Sequence, residues 1–165
     1  KLNKTFSSFQ PKASLAWVPS ENLTLFATAA RGFRSGGFNA SGALLTDSYD
    51  KETLDSFEVG FKSIAMNGRL RTSMAAFYQD YDDVQQFEFD GNIFVQSLYN
   101  IPESEIYGLE GNFEFALSEN LLLTGAFGIM DSEIKKFDDV ILQKMESELN
   151  DRVANTVKLP TGSAR

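Results

Sequence analysis

Apolar and polar residues alternate with a period of two in six stretches of the chain, and this period predicts β-strands with one apolar face. The six apolar faces consist of Phe9, Ala13, Leu15 and Trp17; Leu23, Leu25, Ala27 and Ala29; Phe57, Val59 and Phe61; Leu70, Met74, Ala76 and Tyr78; Tyr107, Leu109, Phe113, Phe115 and Leu117; and Leu121, Leu123, Phe127 and Ile129. Polar residues occupy most positions between them, although Phe26 breaks the pattern in the second stretch. The chain is therefore predicted to be all-β.

The connections between these predicted strands alternate in length. Three are short, at Pro19–Asn22, Met66–Gly68 and Ser118–Asn120, and the Asn67-Gly68 pair is a strong hairpin signal. Three are long and rich in Asp, Gly, Ser and Asn, at residues 34–52, 82–104 and 133–155. An antiparallel sheet is expected, with tight turns at one end and long polar loops at the other.

This asymmetry is typical of transmembrane β-barrels, whose strands have about ten residues. Such barrels carry aromatic residues at both membrane boundaries. Aromatic residues gather near the short turns (Trp17, Phe61, Phe115) and near the long loops (Phe33, Tyr78, Tyr81, Tyr107). A soluble sandwich of amphipathic strands would show the same alternation, so the alternation alone leaves both architectures open, and the loop asymmetry favours the barrel.

Composition excludes several classes of function. The 165 residues include no Cys and no His, so disulfides, thiolate zinc sites and nucleophile–histidine pairs are excluded within this chain. The net charge of −8 makes the chain a poor partner for nucleic acid. No run of about 20 apolar residues is present that would form a membrane-spanning helix. No catalytic residue and no cofactor are predicted.

Several segments, in this order along the chain, resemble the barrel of TonB-dependent outer-membrane receptors. They are FQPKASLAW (9–17), LTLFATAARGFRSGGFN (23–39), ETLDSFEVGFK (52–62), NGRLR (67–71), AAFYQDYDDV (75–84) and IYGLE (106–110). The ordered series covers roughly residues 6 to 139 and is more specific than any single segment. The likeness is strongest to the subgroup often assigned to iron–siderophore uptake.

The resemblance implies an antiparallel transmembrane β-barrel of about 22 strands with a plugged lumen, of which this chain would supply about six, unclosed. It implies an outer-membrane transport protein, not an enzyme, that takes up a bound small molecule such as a ferric siderophore. The implied partners are membrane lipid, the protein's own plug domain and TonB. Residues 1–165 are accordingly expected to be a partial barrel domain, without the plug and the C-terminal strands.

Three other functions stay open beside this one. They are a passive outer-membrane porin or channel, an outer-membrane barrel enzyme, and a soluble β-sheet binding domain. A plug domain upstream would distinguish the receptor from a porin, and the absence of His argues against the enzyme. Dependence on detergent would distinguish the membrane proteins from the soluble domain.

Arg31, Phe33, Arg34 and Phe38 are the candidate ligand-binding residues. Cationic and aromatic side chains together suit an anionic ligand such as a ferric chelate. Anchoring at the barrel rim and ion pairs within the wall are the alternative roles. The glycine-rich segment 32–37 among them lacks the Lys-Ser/Thr ending of a phosphate loop, and its glycines are expected to let the chain turn out of the strand.

Other polar and apolar residues have structural interpretations. A polar lumen, where the implied plug would pack, is predicted to be lined by Glu58, Lys62, Arg71, Glu110, Asn112 and Glu114. The acids Asp80, Asp82, Asp83, Glu88 and Asp90 do not follow the spacing of an EF-hand loop, so no metal site is predicted. A short amphipathic helix in the third long loop is predicted from the spacing of Val140, Ile141, Met145, Leu149 and Val153.

Overall fold

A computed structural model describes residues 3–39, 47–90 and 95–136, together with positions 142, 143, 146, 147 and 150. Its long strands are β1 (Lys12–Ser20), β2 (Leu23–Arg34), β5 (Glu52–Ala65), β6 (Leu70–Asp90), β7 (Val95–Ser118) and β8 (Leu121–Lys136). Two short strands, β3 (Gly37–Phe38) and β4 (Ser48–Tyr49), lie between β2 and β5 in the chain and pair with each other.

The six long strands form one antiparallel sheet in the order β1-β2-β5-β6-β7-β8. Each strand therefore lies beside the long strand that precedes it in the chain, as expected for a series of hairpins. Within the described residues, β1 and β8 have one neighbour each, so the sheet is not closed. The predicted all-β antiparallel fold of about six strands is confirmed.

The three predicted tight turns lie at one end of the sheet and connect β1 to β2, β5 to β6, and β7 to β8. In the second turn, Met66 and Asn67 have φ of 55° and 54°, and Gly68 has φ of 85°. Two consecutive left-handed residues match the twist of the strands that the turn joins. The Asn-Gly signal in the sequence therefore marks a real hairpin.

The loop predicted over residues 82–104 is wrong over most of its length. β6 continues to Asp90, β7 begins at Val95, and pairing runs on from Val84–Ile101 to Asp90–Val95. β5 pairs with β6 only as far as Thr53–Asp82, and the described part of β8 pairs with β7 only as far as Lys136–Glu103. Beyond these pairs the hairpin projects from the long strands among the described residues, and its alternation of apolar and polar residues is short, at residues 87–90.

Three smaller expectations have different outcomes. Phe9 precedes β1 instead of lying in it. The five apolar residues of the predicted helix in residues 133–155 lie outside the described residues, and the described positions 142, 143, 146, 147 and 150 have helical backbone. Within the described part of the chain, no helix has the length and apolar character needed to cross a membrane.

Large apolar side chains remain exposed, because a single sheet has no second layer to cover it. Val59 is 57% exposed and Phe127 is 47% exposed. The described residues that are less than a tenth exposed include two apolar residues, Ala75 and Ile101, and two polar ones, Gln85 and Ser97. The described sheet thus has a very small apolar core, and most of its apolar face is uncovered.

Phenylalanine rings lie across glycines at four directly paired positions of the sheet. The pairs are Phe26–Gly60, Phe77–Gly108, Phe113–Gly125 and Phe127–Gly111. A Cβ at each glycine would come within 3 Å of the opposing ring, so the missing side chain is what makes room for the aromatic one. Phe26 breaks the alternation of β2 for this reason.

Candidate functional site

The paired positions divide the side chains of the sheet between two chemically different faces. Directly paired residues of an antiparallel sheet lie on the same face, so the register connects the faces of all six strands. Phe57, Val59, Phe113 and Phe127 share one face, which we call the outer face. Glu58 and the other predicted lumen residues share the opposite face, called the inner face; they are Lys62, Arg71, Glu110, Asn112 and Glu114.

The outer face carries an apolar belt that begins at the short turns. On β7 this belt extends from Leu117 to Tyr107, which is about 33 Å along the strand at 3.3 Å per residue. At a strand tilt of about 40°, that length spans roughly 25 Å, which equals the height of the apolar band of an outer-membrane barrel. The belt therefore has the dimensions of a membrane surface.

A charged row lies directly above the belt. Tyr78 pairs with Tyr107 at the upper boundary of the belt, and the next outer row across five strands is Arg31, Asp55, Asp80, Glu105 and Glu133. Tyr78 Oη donates a hydrogen bond of 2.9 Å to Glu105 Oε2. Such tyrosines, apolar below and polar above, fit a boundary between hydrocarbon and water.

Lys135 supplies positive charge to this row. Its Nζ lies 2.7 Å from Glu105 Oε1 and 2.8 Å from Glu133 Oε2. The hydrogen bonds to Glu105 and Glu133 raise the pKa of Lys135 above its usual range. These contacts favour the charged forms of Lys135 and Glu105, so a charged row directly follows the apolar belt.

The four aromatic residues near the long loops do not all lie at one boundary of the belt. Tyr78 and Tyr107 share a row of the outer face. Tyr81 pairs with Leu54 and Ser104 and lies on the inner face, while Phe33 pairs with Thr53 one outer row above the charged row. Among these four residues, the aromatic boundary of the outer face therefore rests on Tyr78 and Tyr107, because Tyr81 is an odd number of positions from Tyr78.

The inner face carries charges that are only partly neutralised within the sheet. Arg71 Nη1 lies 3.8 Å from Glu114 Oε2, and Lys62 Nζ lies 6.0 Å from the centroid of the Phe26 ring. A depression of about 460 Å³ is lined by Ala16, Thr24, Phe26, Glu58, Lys62, Ser73, Ala75 and Glu110. Its walls combine carboxylates, an ammonium group and an aromatic ring, so this face suits a polar polypeptide or solvent and not lipid.

The structure does not bring the four predicted ligand-binding residues onto one surface. Arg31 and Phe33 lie on the outer face, whereas Arg34 pairs with Glu52 on the inner face. Arg31 Nε donates a hydrogen bond of 2.6 Å to Asp55 Oδ1, and Arg34 Nη1 lies 3.7 Å from Glu52 Oε2. Of the two arginines, only Arg34 lies on the inner face.

Phe38 belongs to a small substructure above the wall. β3 and β4, with the residues beside them at 35–39 and 47–50, form what we call the strap. Gly36 and Gly37 lie against Tyr49, and a Cβ at Gly37 would come within 2.8 Å of the Tyr49 ring atom Cζ. Gly36 and Gly37 are thus required for close approach within the strap, a role other than the turn that the sequence predicts, whereas nothing lies within 4 Å of a Cβ at Gly32.

Three amide side chains that the sequence analysis did not single out fix the strap to the projecting hairpin. Asn39 Nδ2 donates a hydrogen bond of 2.7 Å to Leu98 O. Asn100 Oδ1 accepts one of 2.7 Å from Asp50 N, and Gln85 Nε2 donates one of 2.9 Å to Ser35 O. No sequence motif marks these residues, because isolated Asn and Gln are common in solvated loops.

Several carboxylates gather where the strap meets the projecting hairpin. Burial raises the pKa of Asp83, and the neighbouring Asp50 and Asp82 raise it further. Among the described residues, however, no group of three or more acidic side chains is arranged to hold a metal ion. The acids on this part of the chain thus offer a negatively charged surface and no assembled cation site.

Comparison with known proteins connects these two faces to one family. The family described as TonB dependent receptor-like, beta-barrel matches residues 1–158. The metal-pseudopaline receptor CntO of Pseudomonas aeruginosa strain UCBPP-PA14 is 26% identical over 131 residues, which are 79% of this chain and 18% of the relative. The same receptor from strain PAO1 matches equally. The chain therefore spans about a fifth of the length of these curated relatives.

Solved structures share the fold. The siderophore receptor PirA from Pseudomonas aeruginosa matches with a TM-score of 0.59 and 18% identity over 76% of this chain and 28% of that one. The ferric yersiniabactin uptake receptor FyuA from Yersinia pestis matches with a TM-score of 0.61 and 17% identity, over 75% and 18% of the two chains. The alcaligin receptor FauA from Bordetella pertussis gives 0.56 and 16%, over 79% and 23%.

Proposed function

The chain belongs to the TonB-dependent receptor family, in its β-barrel part, and from that premise we propose that it forms part of the wall of an outer-membrane receptor that takes up a bound small molecule. The family consists of transport receptors of the outer membrane. The observation that carries the proposal is the two-faced sheet, with a belt of membrane height outside and a charged face inside. Residues 1–165 are then one part of a larger barrel domain.

The outer face is the proposed lipid contact. Phe57, Val59, Phe113 and Phe127 lie within the belt, and exposed apolar surface of this extent is unfavourable in water but not in hydrocarbon. The charged row above the belt would lie among headgroups and water on the side of the long connections. This placement puts the short turns on the periplasmic side.

The inner face is the proposed contact for the plug domain. Glu58 and Glu110 line the same depression as Lys62 and Phe26. Carboxylates beside an aromatic ring suit a guanidinium group, which can form ion pairs with the carboxylates and stack on the ring. The plug would thus be held by side-chain charges, and TonB would act on that plug in the complete receptor.

The proposed ligand is a negatively charged metal chelate of the ferric-siderophore class. The relatives named above are receptors for metal-pseudopaline, ferric yersiniabactin and alcaligin, which supports the class and leaves the individual compound open. Arg34 on the inner face is the cation placed to meet it. The role proposed for this chain is binding and passage, so it is not an enzyme.

Uptake of radioactive iron by cells that carry the full-length receptor tests the proposal. Cells deleted for the receptor and complemented with it are given ⁵⁵Fe bound to catecholate or hydroxamate chelators, with and without a functional TonB. Uptake that requires both the receptor and TonB is expected for at least one chelate. Uptake or conductance that continues without TonB indicates a passive porin, and full-length protein that is stable and soluble without detergent indicates a soluble binding domain.

A further inference from the structure

Arg69 lies at the end of the sheet that carries the short turns, as the last residue of the tight turn between β5 and β6. Its backbone N–H donates to Met66 O at 3.2 Å within the turn, and its carbonyl accepts from Ala116 N at 2.8 Å. The next residue, Leu70, begins β6 and pairs with Phe115. The backbone of Arg69 is therefore held both by its own turn and by β7.

Two backbone carbonyls near the end of β7 hold the guanidinium group of Arg69. Its Nε donates a hydrogen bond of 2.9 Å to Ala116 O, and its Nη2 donates one of 2.8 Å to Leu117 O. A guanidinium group is planar and rigid, so contacts at two of its nitrogens fix the orientation of the whole group. Its remaining N–H groups consequently point in set directions.

The ring of Phe115 places this cation at the boundary of the apolar belt. Arg69 Cζ lies 5.6 Å from the centroid of the ring, within reach of a cation–π contact. Phe115 pairs with Leu70 and Leu123 in one row of the outer face. These three residues are uncharged, so Arg69 supplies a positive charge where the belt meets the short turns.

Arg69 also differs from the other described arginines in its partners. Each of the others has a carboxylate partner; the pairs are Arg31–Asp55, Arg34–Glu52 and Arg71–Glu114. Arg69 forms no ion pair with any of the described residues. Of the five N–H groups of a guanidinium, the two carbonyls of β7 accept two. Both N–H groups of Nη1 and one of Nη2 are therefore left without an acceptor in the described part of the chain.

The chemistry of this free edge favours one class of anion. A guanidinium presents parallel N–H groups that match two oxygens of a phosphate or a carboxylate. A cation beside hydrocarbon is costly unless a counter-ion or water stabilises it. If the outer face contacts lipid, the phosphate groups of the headgroups are the anions that lie at the height of Arg69.

We propose that Arg69 binds the phosphate group of a phospholipid in the periplasmic leaflet, whose acyl chains lie on the belt beside Phe115 and Leu117. The two carbonyls and the ring hold the guanidinium in one orientation before the lipid arrives, which lowers the entropic cost of binding. The inference rests on the lipid-facing outer face of the proposed function. It adds a defined headgroup site to a surface that otherwise contacts only hydrocarbon.

Native mass spectrometry of the full-length receptor tests the site, after removal of bound lipid in detergent and titration with three probes. They are dioleoyl phosphatidylglycerol, dioleoylglycerol, which has the same chains without a phosphate, and inorganic phosphate. The parent receptor should bind phosphatidylglycerol more tightly than dioleoylglycerol. Arg69→Gln should weaken the phosphatidylglycerol binding by roughly three- to tenfold, because charged hydrogen bonds at a partly exposed site are lost. Its binding of dioleoylglycerol should not change.

Arg71→Gln is the matched control, because Arg71 lies on the inner face two residues further along and is paired with Glu114. It should keep the parental affinity for phosphatidylglycerol. Arg69→Lys keeps the charge but not the planar set of donors, so its affinity should fall between those of the parent and Arg69→Gln. If Arg69→Gln does not assemble, Arg69→Lys and Arg71→Lys decide, and only the first should bind the phospholipid more weakly.

A role confined to holding the turn predicts a different result. Arg69→Gln would then lower the thermal midpoint of the lipid-free receptor and leave its affinity for phosphatidylglycerol unchanged. That result, or an equal loss of affinity with Arg71→Gln, would overturn the proposal. Displacement of the lipid by an equal concentration of inorganic phosphate would also overturn it, by assigning the site to free phosphate. A full-length receptor that is stable without detergent would instead refute the lipid-facing outer face, so the two failures are distinguishable.

Discussion

At the scale of single residues, phenylalanine rings lie directly across glycines of the neighbouring strand. On the outer face, Phe113 covers Gly125 and Phe127 covers Gly111, so neighbouring strands exchange a ring for a glycine twice within two rows. On the inner face, Phe26 covers Gly60 in the same manner. A shift of one residue between strands would separate each ring from its glycine, so these pairs favour one register.

Gly125→Ala should destabilise the folded receptor by about 1–3 kcal/mol, the usual cost of an overfilled contact. A Cβ there would lie 2.7 Å from Phe113 Cζ, and its three nearest neighbours are all ring atoms of Phe113. The urea midpoint of the full-length receptor in detergent measures the effect. Phe113→Leu combined with Gly125→Ala should restore much of it.

Gly128→Ala is the matched control for that experiment, because nothing lies within 4 Å of a Cβ at this position of the same strand. Its midpoint should stay close to the parental one. Equal losses at Gly125 and Gly128 would mean that the effect comes from strand propensity or chain entropy instead of contact with the ring.

Arg34→Gln should reduce uptake of the ⁵⁵Fe chelate that the parent receptor accepts, whereas Arg31→Gln should leave it unchanged. The reason is that Arg34 lies on the inner face and Arg31 on the outer face, where it is paired with Asp55. Receptor levels in the membrane should be normal for both variants. Equal loss in both, or loss with Arg31→Gln alone, would contradict a ligand role that depends on the inner face.

The sequence already contained the information that separates these two arginines. Residues three apart in a strand point to opposite faces, so Arg31 and Arg34 could not form one patch once β2 was known to reach Arg34. They form one cluster only if residues 32–37 are the start of a loop and not a continuation of the strand. By contrast, no periodicity reveals that Asp83 has a left-handed backbone, because that conformation is imposed by tertiary contacts.

At the level of whole strands, the pattern predicted the elements with a long, regular alternation and missed those in which the alternation is short or interrupted. β5 and the lower half of β7 were identified from alternation such as that of Phe57 and Phe113. Residues 84–90 and 95–101 are also strands. Their apolar residues, such as Phe87, Phe89 and Ile101, are too few and too irregularly spaced to stand out from a long loop.

Phe113→Arg should impair assembly of the barrel, while Asn112→Arg should be tolerated better. Phe113 lies on the outer face within the apolar belt and Asn112 on the inner face beside it. An Arg at a lipid-facing midplane position costs about 2–4 kcal/mol. The fraction of folded receptor in isolated outer membranes, judged by its heat-dependent migration on gels, provides the measurement. Equal impairment, or the reverse order, would contradict the assignment of the faces.

At the scale of the whole molecule, the sheet has two faces and two edges that each require a partner. The outer face exposes Leu15, Val59 and Phe127, and the inner face exposes charged residues such as Lys62. The ladder of backbone hydrogen bonds holds the strands in register but does not bury the belt. Under the proposed function, lipid would cover the outer face and polar contents would cover the inner face, while the edges at β1 and β8 are unpaired among the described residues.

The 165-residue chain, produced alone, should neither fold as a soluble monomer nor conduct ions. In lipid, the edges of β1 and β8, which are unpaired among the described residues, would leave N–H and C=O groups without partners, and each such group costs several kcal/mol in hydrocarbon. The six long strands of the described residues are also fewer than the eight or so of the smallest bacterial barrels. In water, the belt on the outer face would remain exposed and the edges would pair with other copies of the chain.

Size-exclusion chromatography with and without detergent, followed by recordings in planar bilayers, measures the association state and the conductance of the isolated chain. We expect aggregates in water, detergent-dependent particles otherwise, and no steady conductance. A monomer that unfolds cooperatively in water would contradict the assignment of the outer face to lipid and would return the soluble sandwich as the better explanation of the same alternation.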